Sequence, residues 1–101
     1  MGATVVLAAV GPGGLATASP TRTIAVADFR FAPAAATAVH GTRVLFIWRG
    51  RAPHDVRGAG PAPFASRIQR TGAFAVTITR KGVYRITCTV HPRMRLVLRV
   101  T

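Results

Sequence analysis

The sequence predicts an all-β chain folded as an antiparallel sandwich. Three observations carry this. Apolar residues alternate with period two through most of the chain from Thr21 onward, Gly and Pro mark turns between the alternating runs, and no segment has the spacing of a helix. Two sheets would pack their apolar faces together and leave the arginine-bearing faces in water.

The elements follow in order. Ile24 and Val26 alternate with Ala and Thr, Phe29 and Phe31 continue that apolar face, and Pro33 ends the strand. Segment 34–39 is Ala-rich and short, with Pro33 before it and Gly41 after it, which favours an extended segment over a helix. Residues 43–49 (RVLFIWR) are branched and aromatic and read as a central strand. Residues 50–63 carry Gly and Pro signals and read as a loop; residues 64–70 fit neither pattern. Phe74, Val76 and Ile78 form the next strand, and Arg80-Lys81-Gly82 the turn after it. Tyr84, Ile86 and Cys88 share one face of the following strand, and Leu96, Leu98 and Val100 one face of the last.

The chain has 101 residues, half of them apolar, which suits one domain with one core. Residues 3–10 are apolar, Gly11 to Gly14 break the run, and Ala16-Thr17-Ala18 offers a small-x-small cleavage site. Residues 1–20 are therefore expected to be an export leader or an N-terminal tail without a fold of its own, and residues 21–101 the folded domain. No apolar run reaches the roughly 18–20 residues of a membrane span. Export would place the domain in the periplasm or outside the cell, and a monomer is expected.

Fourteen basic residues, thirteen of them Arg, face two acidic ones, for a formal charge of +12. Such a charge attracts acidic proteins, anionic membranes or nucleic acid, or else is simply a soluble basic surface. Arg43, Arg85 and Arg99 alternate with apolar neighbours as outward strand positions do, which favours the plain solvated reading. Only seven aromatics occur, most at inward positions, so no stacking surface for nucleic acid is visible. With Asp28 and Asp55 as the only acids there is no carboxylate pair, and Ser66 has no evident His–Asp partners; an enzyme is not expected.

The chemistry concentrates in Cys88-Thr-Val-His91-Pro-Arg-Met94, three potential metal ligands spaced by three between two strands. Alone, each has a plainer explanation: a buried Cys packs as a small hydrophobe, and a lone His or Met is usually structural. Together they offer a thiolate, an imidazole and a thioether, donors that copper prefers. Pro92 stiffens the loop. The lone cysteine cannot form an internal disulfide, and an ion would shield it from oxidation. A fourth group must come from elsewhere. His54, after Pro53 in the loop following the central strand, is the candidate, whereas His40, beside Gly41 at a turn, is expected to be exposed and not a ligand. His54, Cys88, His91 and Met94 make two His, one Cys and one Met, the set of a blue (type 1) copper site holding one ion. Zinc would accept the first three but gains little from the thioether. Four protein ligands leave no strong open position for substrate.

Several stretches resemble the cupredoxins, in particular the plastocyanin-like and amicyanin-like members. Phe29-Arg-Phe31-Ala-Pro33 is similar to their first-strand motif, residues 39–46 (VHGTRVLF) to V-x-x-G-x-x-V-x-W, Ala52-Pro53-His54-Asp55-Val56 to A-P-H-x-V, and Phe64-Ala-Ser66 to F-x-S. Residues 82–94 resemble G-x-Y-x-x-x-C-x-x-H-P-x-M with the short amicyanin gap. The resemblance implies a Greek-key sandwich of about eight strands with copper at one end. It implies equatorial ligands His54, Cys88 and His91, an axial Met94, and electron passage through the exposed edge of His91. It implies a carrier of single electrons between redox partner proteins. Partners would dock around His91; from their place beside Met94, Arg93 and Arg95 read either as residues that steer acidic partners or as ordinary solvated loop residues. A periplasmic copper-handling protein, scavenger or chaperone, is the alternative. Trp48, Asp55 and Leu96 depart from the pattern: the first two stand where Asn is frequent, the third where Gly is usual.

Overall fold

The computed structural model describes residues 19–101. The expected leader or tail therefore lies almost wholly outside the described residues. Within the described residues nine strands form two sheets: β1 (Thr21–Ala27), β2 (Arg30–Ala32), β3 (Ala35–Ala38), β4 (Thr42–Trp48), β5 (Arg57–Ala59), β6 (Phe64–Ala65), β7 (Ala73–Ile78), β8 (Gly82–Thr87) and β9 (Arg95–Val100). One sheet has the order β2-β1-β4-β7 and the other β3-β9-β8-β5-β6. The all-β sandwich is as expected. Two pairings are parallel, however: β1 with β4 and β3 with β9. Both arise because the chain changes sheet at β3 before returning to the first sheet at β4.

Alternation decides which residues point inward. Ile24 and Val26 on β1, Val44, Phe46 and Trp48 on β4, Tyr84 and Ile86 on β8, and Leu96, Leu98 and Val100 on β9 are all buried. Phe46 sits at the middle of this core. Its ring lies 6.5 Å from Phe31, 6.2 Å from Phe74 and 6.3 Å from Phe64, so it joins the two sheets. Tyr84 closes the turn after β7 by donating its hydroxyl to the carbonyl of Arg80 at 2.7 Å.

Two local expectations change. The expected first strand divides at a two-residue turn, Asp28–Phe29, so that Ala27 pairs with Arg30. Phe31 is buried, but Phe29 is 60% exposed at the turn rather than on the apolar face. The expected loop 50–63 contains β5, paired with β8 and β6. Its inward position is Gly58, where a Cβ would run into the Phe64 ring. A strand whose one inward residue has no side chain shows no alternation in sequence.

Candidate metal centre

The centre forms where the end of β8 meets two loops. The β8 alternation that buries Tyr84 and Ile86 also turns Cys88 inward, 1% exposed. Past Cys88 the chain turns sharply, with the Met94 amide donating to the His91 carbonyl at 3.0 Å. His91 is thereby brought beside the sulfur, with its Nδ1 3.9 Å from Cys88 Sγ. Met94 is 1% exposed and leads directly into β9.

His54 arrives from the other sheet's connection and is completely buried. Its backbone is held on both sides. The His54 amide donates to the Gln69 carbonyl at 3.0 Å, and the His54 carbonyl accepts from the Gln69 amide at 3.0 Å and from the Trp48 indole at 3.1 Å. Trp48, a departure from the family pattern, thus helps to fix a ligand loop. Two residues on, the Val56 amide donates to Ser66 Oγ at 2.8 Å, and the Ser66 amide donates back to the Val56 carbonyl.

His54 Nδ1 lies 4.0 Å from Cys88 Sγ and 3.1 Å from His91 Nδ1. All three donor atoms fall within 4.8 Å of one another. Metal–nitrogen distances of about 2.0–2.1 Å and a metal–sulfur distance of about 2.3 Å are compatible with these spacings, so the three donors could hold one ion between them. The donor chemistry agrees. Two imidazole lone pairs that face each other at 3.1 Å repel unless a cation or proton lies between them. The residues therefore fit one type 1 copper ion.

The tautomer of His54 is set from behind. Its Nε2 lies 2.7 Å from Asp28 Oδ1, so the ring proton sits on Nε2, is donated to the carboxylate, and leaves Nδ1 free to ligate. Asp28 is itself anchored: Oδ2 accepts from the Arg51 amide at 2.8 Å and Oδ1 from the Ala52 amide at 3.0 Å. The Arg51 amide, followed by the His54 ring, holds the Asp28 carboxyl down to about 2, well below the usual carboxylate range. Gly50 makes room for it. A Cβ there would fall 2.6 Å from Asp28 Cγ and 2.7 Å from its amide nitrogen.

Asp55, another departure, is buried and ties the two ligand loops together. Its Oδ1 accepts from the Thr89 amide at 2.7 Å and its Oδ2 from the Thr89 hydroxyl at 2.8 Å. Leu96 packs in the core at 1% exposure. Over the outside, Phe29 stands edge-on to both imidazoles, with ring centroids 4.8 Å from His91 and 6.1 Å from His54. His91 is half-buried beside exposed Pro92 and Arg93, while His40 is exposed, as expected, and hydrogen-bonds at 3.1 Å with the Thr101 carbonyl.

The structure thus gathers His54, Cys88 and His91, three of the four residues singled out from sequence, and Met94 is buried in the loop whose turn it closes on the His91 carbonyl. Sequence reasoning missed Asp28 and Phe29. Both sit in a turn that the sequence presents as continuous strand, 26 residues before His54 in the case of Asp28. The one signal available was that Asp28 is one of only two acids in a chain this basic.

No family model matches the chain, and no curated protein matches it. Solved structures do. A reduced tryptophan-to-tyrosine variant of amicyanin superposes with a TM-score of 0.73 at 26% identity, covering 84% of this chain and 86% of that one. A Cu(I) form of a methionine-to-alanine variant of amicyanin gives 0.71 at 26% identity, covering 88% of each chain. A Cu-containing nitrite reductase from Thermus scotoductus gives 0.72 at 25% identity, and the match covers 93% of this chain but 25% of the enzyme. The architecture is that of the cupredoxins, and the His-Cys-His group matches a type 1 copper site.

Proposed function

We propose that this cupredoxin-fold chain is an exported blue copper protein that carries single electrons between redox partners. The observation that supports it most directly is the convergence of two imidazole nitrogens and a thiol sulfur within 4.8 Å, with His54 and Cys88 fully buried and His91 half-buried. In this reading His54, Cys88 and His91 would hold the ion and Met94 would add a weak thioether donor.

A bound copper ion would supply a one-electron Cu(II)/Cu(I) couple: one electron comes from a reduced donor protein and the same electron leaves to an oxidised acceptor, with no bond made or broken in the chain. The residues supply the rest. Asp28 keeps the His54 proton on Nε2, Asp55 holds the two ligand loops in register, and Phe29 with the core keeps water from the donors. Donors fixed in advance need little rearrangement when charge changes. The half-buried His91 edge, among Phe29, Val90 and Pro92, is where a partner would approach, and Arg93 beside it would steer an acidic one. A donor set this buried suits retention over delivery, which favours the carrier over the copper-handling alternative. The fraction of the nitrite reductase that this chain spans gives no ground for carrying over that enzyme's activity.

The test is copper reconstitution followed by a visible spectrum. An intense sulfur-to-copper charge-transfer band is expected, absent in Cys88→Ser, with reversible one-electron cycling and no loss of metal. A protein that takes up copper without that band, or gives it up to another protein on each cycle, would refute the carrier reading.

A further inference from the structure

Both acids of the chain are consumed around the metal centre. Asp28 is committed to Arg51, Ala52 and His54, and Asp55 to Thr89. Among the described residues the His54–Asp28 contact is the sole close approach of a carboxylate to a basic side chain, and there the imidazole is the neutral donor. All fourteen cationic side chains lie between residues 22 and 99, and no carboxylate among the described residues neutralises any of them.

These cations are dispersed in sequence, but strand register collects them. The outward positions of β9 are Arg95, Val97 and Arg99. Across from them on β8 stand Thr87, Arg85 and Val83, and β5 sets Arg57 opposite Thr87. All four arginines are exposed. At about 3.3 Å per residue and 4.8 Å between strands, their Cα positions span an area on the order of 13 by 10 Å. Only Val, Ala and Thr lie between them on this face. The outward positions of the other sheet, β2-β1-β4-β7, carry two arginines, Arg30 and Arg43, among Ala, Thr, Leu45 and Ile47. The outward strand positions are therefore richer in arginine on the β3-β9-β8-β5-β6 side, four against two. The arginine face is also indented on either side of Val97. One depression of about 290 Å³ lies by Arg85 and Arg95, and another of about 460 Å³ by Arg99 and Arg22.

We propose that the outer face of the β3-β9-β8-β5-β6 sheet docks on an anionic phospholipid surface, with the arginines against lipid phosphates. Charge complementarity selects the class of partner, and the form of the face selects among its members. A broad sheet face meets a plane of headgroups over its whole area, whereas a duplex rod would touch it along one line, and nothing on it projects to enter a groove. It bears no aromatic anchor of the kind that dominates protein interfaces. Guanidinium forks match phosphate oxygens two at a time, and depressions beside them receive the headgroup. Docked in this way, the strands lie along the bilayer. The His91 end, at the edge of the sandwich, stays open sideways to a partner on the same surface.

The experiment is sedimentation of the full chain with vesicles of equal phosphatidylglycerol and phosphatidylcholine, against pure phosphatidylcholine, at 0.1 M salt. Two variants each remove four charges: Arg57, Arg85, Arg95 and Arg99 to Gln, and, as the control, Arg30, Arg43, Arg67 and Lys81 to Gln. The parent is expected to bind the acidic vesicles only. The face variant should bind at least tenfold more weakly and the control within threefold of the parent. If the face variant does not fold, Arg85→Gln with Arg99→Gln, compared with Arg43→Gln with Arg67→Gln, makes the same comparison. Equal losses in the two variants, equal binding to neutral vesicles, or no binding by the parent would each overturn the proposal. So would salt-sensitive binding of duplex DNA that depends on this face while vesicles are ignored.

Discussion

The Nε2 of His54 lies 2.7 Å from the Oδ1 of Asp28, and the two residues belong to different loops 26 positions apart. A metal-binding imidazole usually donates its other ring proton to an acceptor that fixes tautomer and orientation. Here the acceptor is a full carboxylate, held in turn by two backbone amides. Asp28→Asn keeps one acceptor oxygen but turns an NH2 group toward the Arg51 amide, donor against donor. Copper affinity, read by competition with a chelator, should fall about 10–100-fold. The midpoint potential should rise, because removing the negative charge destabilises Cu(II) relative to Cu(I). Unchanged affinity and potential would show that Asp28 does not position the ligand.

Gly50 makes that interaction possible by being side-chain-free, since a Cβ there would fall on Asp28. Gly50→Ala should therefore weaken copper binding in the same direction as Asp28→Asn. The double variant should lose little more than the worse single one, since both act on one contact. Additive losses measured in the same competition assay would mean that Gly50 acts elsewhere.

The two phenylalanines near opposite ends of the burial scale separate stability from site chemistry. Phe46 is fully buried among Phe31, Phe64 and Phe74, and Phe46→Ala should cost about 3–5 kcal/mol in denaturant unfolding. Phe29 is 60% exposed, so Phe29→Ala should cost no more than about 1 kcal/mol. That variant should nevertheless alter the spectrum or potential of the copper-loaded protein, because it uncovers His91 and His54 to water.

What was legible in sequence follows from distance along the chain. Cys88, His91 and Met94 share one short loop, so their spacing alone pointed to a ligand set, and alternation fixed which face of β8 and β9 turned inward. His54 could be chosen because only three histidines compete and one follows Pro53 in a loop. Asp28 could not, because its role depends on a turn that splits one apparent strand into β1 and β2, and Phe29 looked like a core residue for the same reason. The strand β5 was hidden by Gly58, whose inward position is filled by the Phe64 ring instead of its own side chain. The parallel pairings were equally invisible: alternation reports which face is buried and says nothing of strand direction.

Arg93 is exposed beside the half-buried His91, where charge acts on the approach of a partner. Arg93→Glu should slow bimolecular electron transfer with an acidic partner at low ionic strength and flatten its salt dependence, leaving the spectrum intact. Stopped-flow rates across a salt series read both effects. If neither the rate nor its slope moved, steering by this residue would be excluded.

Asp55 makes a prediction that distinguishes geometry from charge. Its two oxygens accept from the amide and the hydroxyl of Thr89, clamping the His54 loop to the Cys88 loop. Asp55→Ala removes both bonds beneath a buried position and should cost about 1–3 kcal/mol in urea unfolding of the metal-free protein. Asp55→Asn keeps a carbonyl oxygen for the Thr89 amide, and its NH2 can donate to the Thr89 hydroxyl, whose oxygen also accepts. The Asn variant should therefore recover most of the stability and retain the copper spectrum, while the Ala variant broadens or shifts it as the loops drift apart. If Asn behaved as Ala does, the negative charge itself would be what holds the loops, and the hydrogen-bond clamp would be the wrong description.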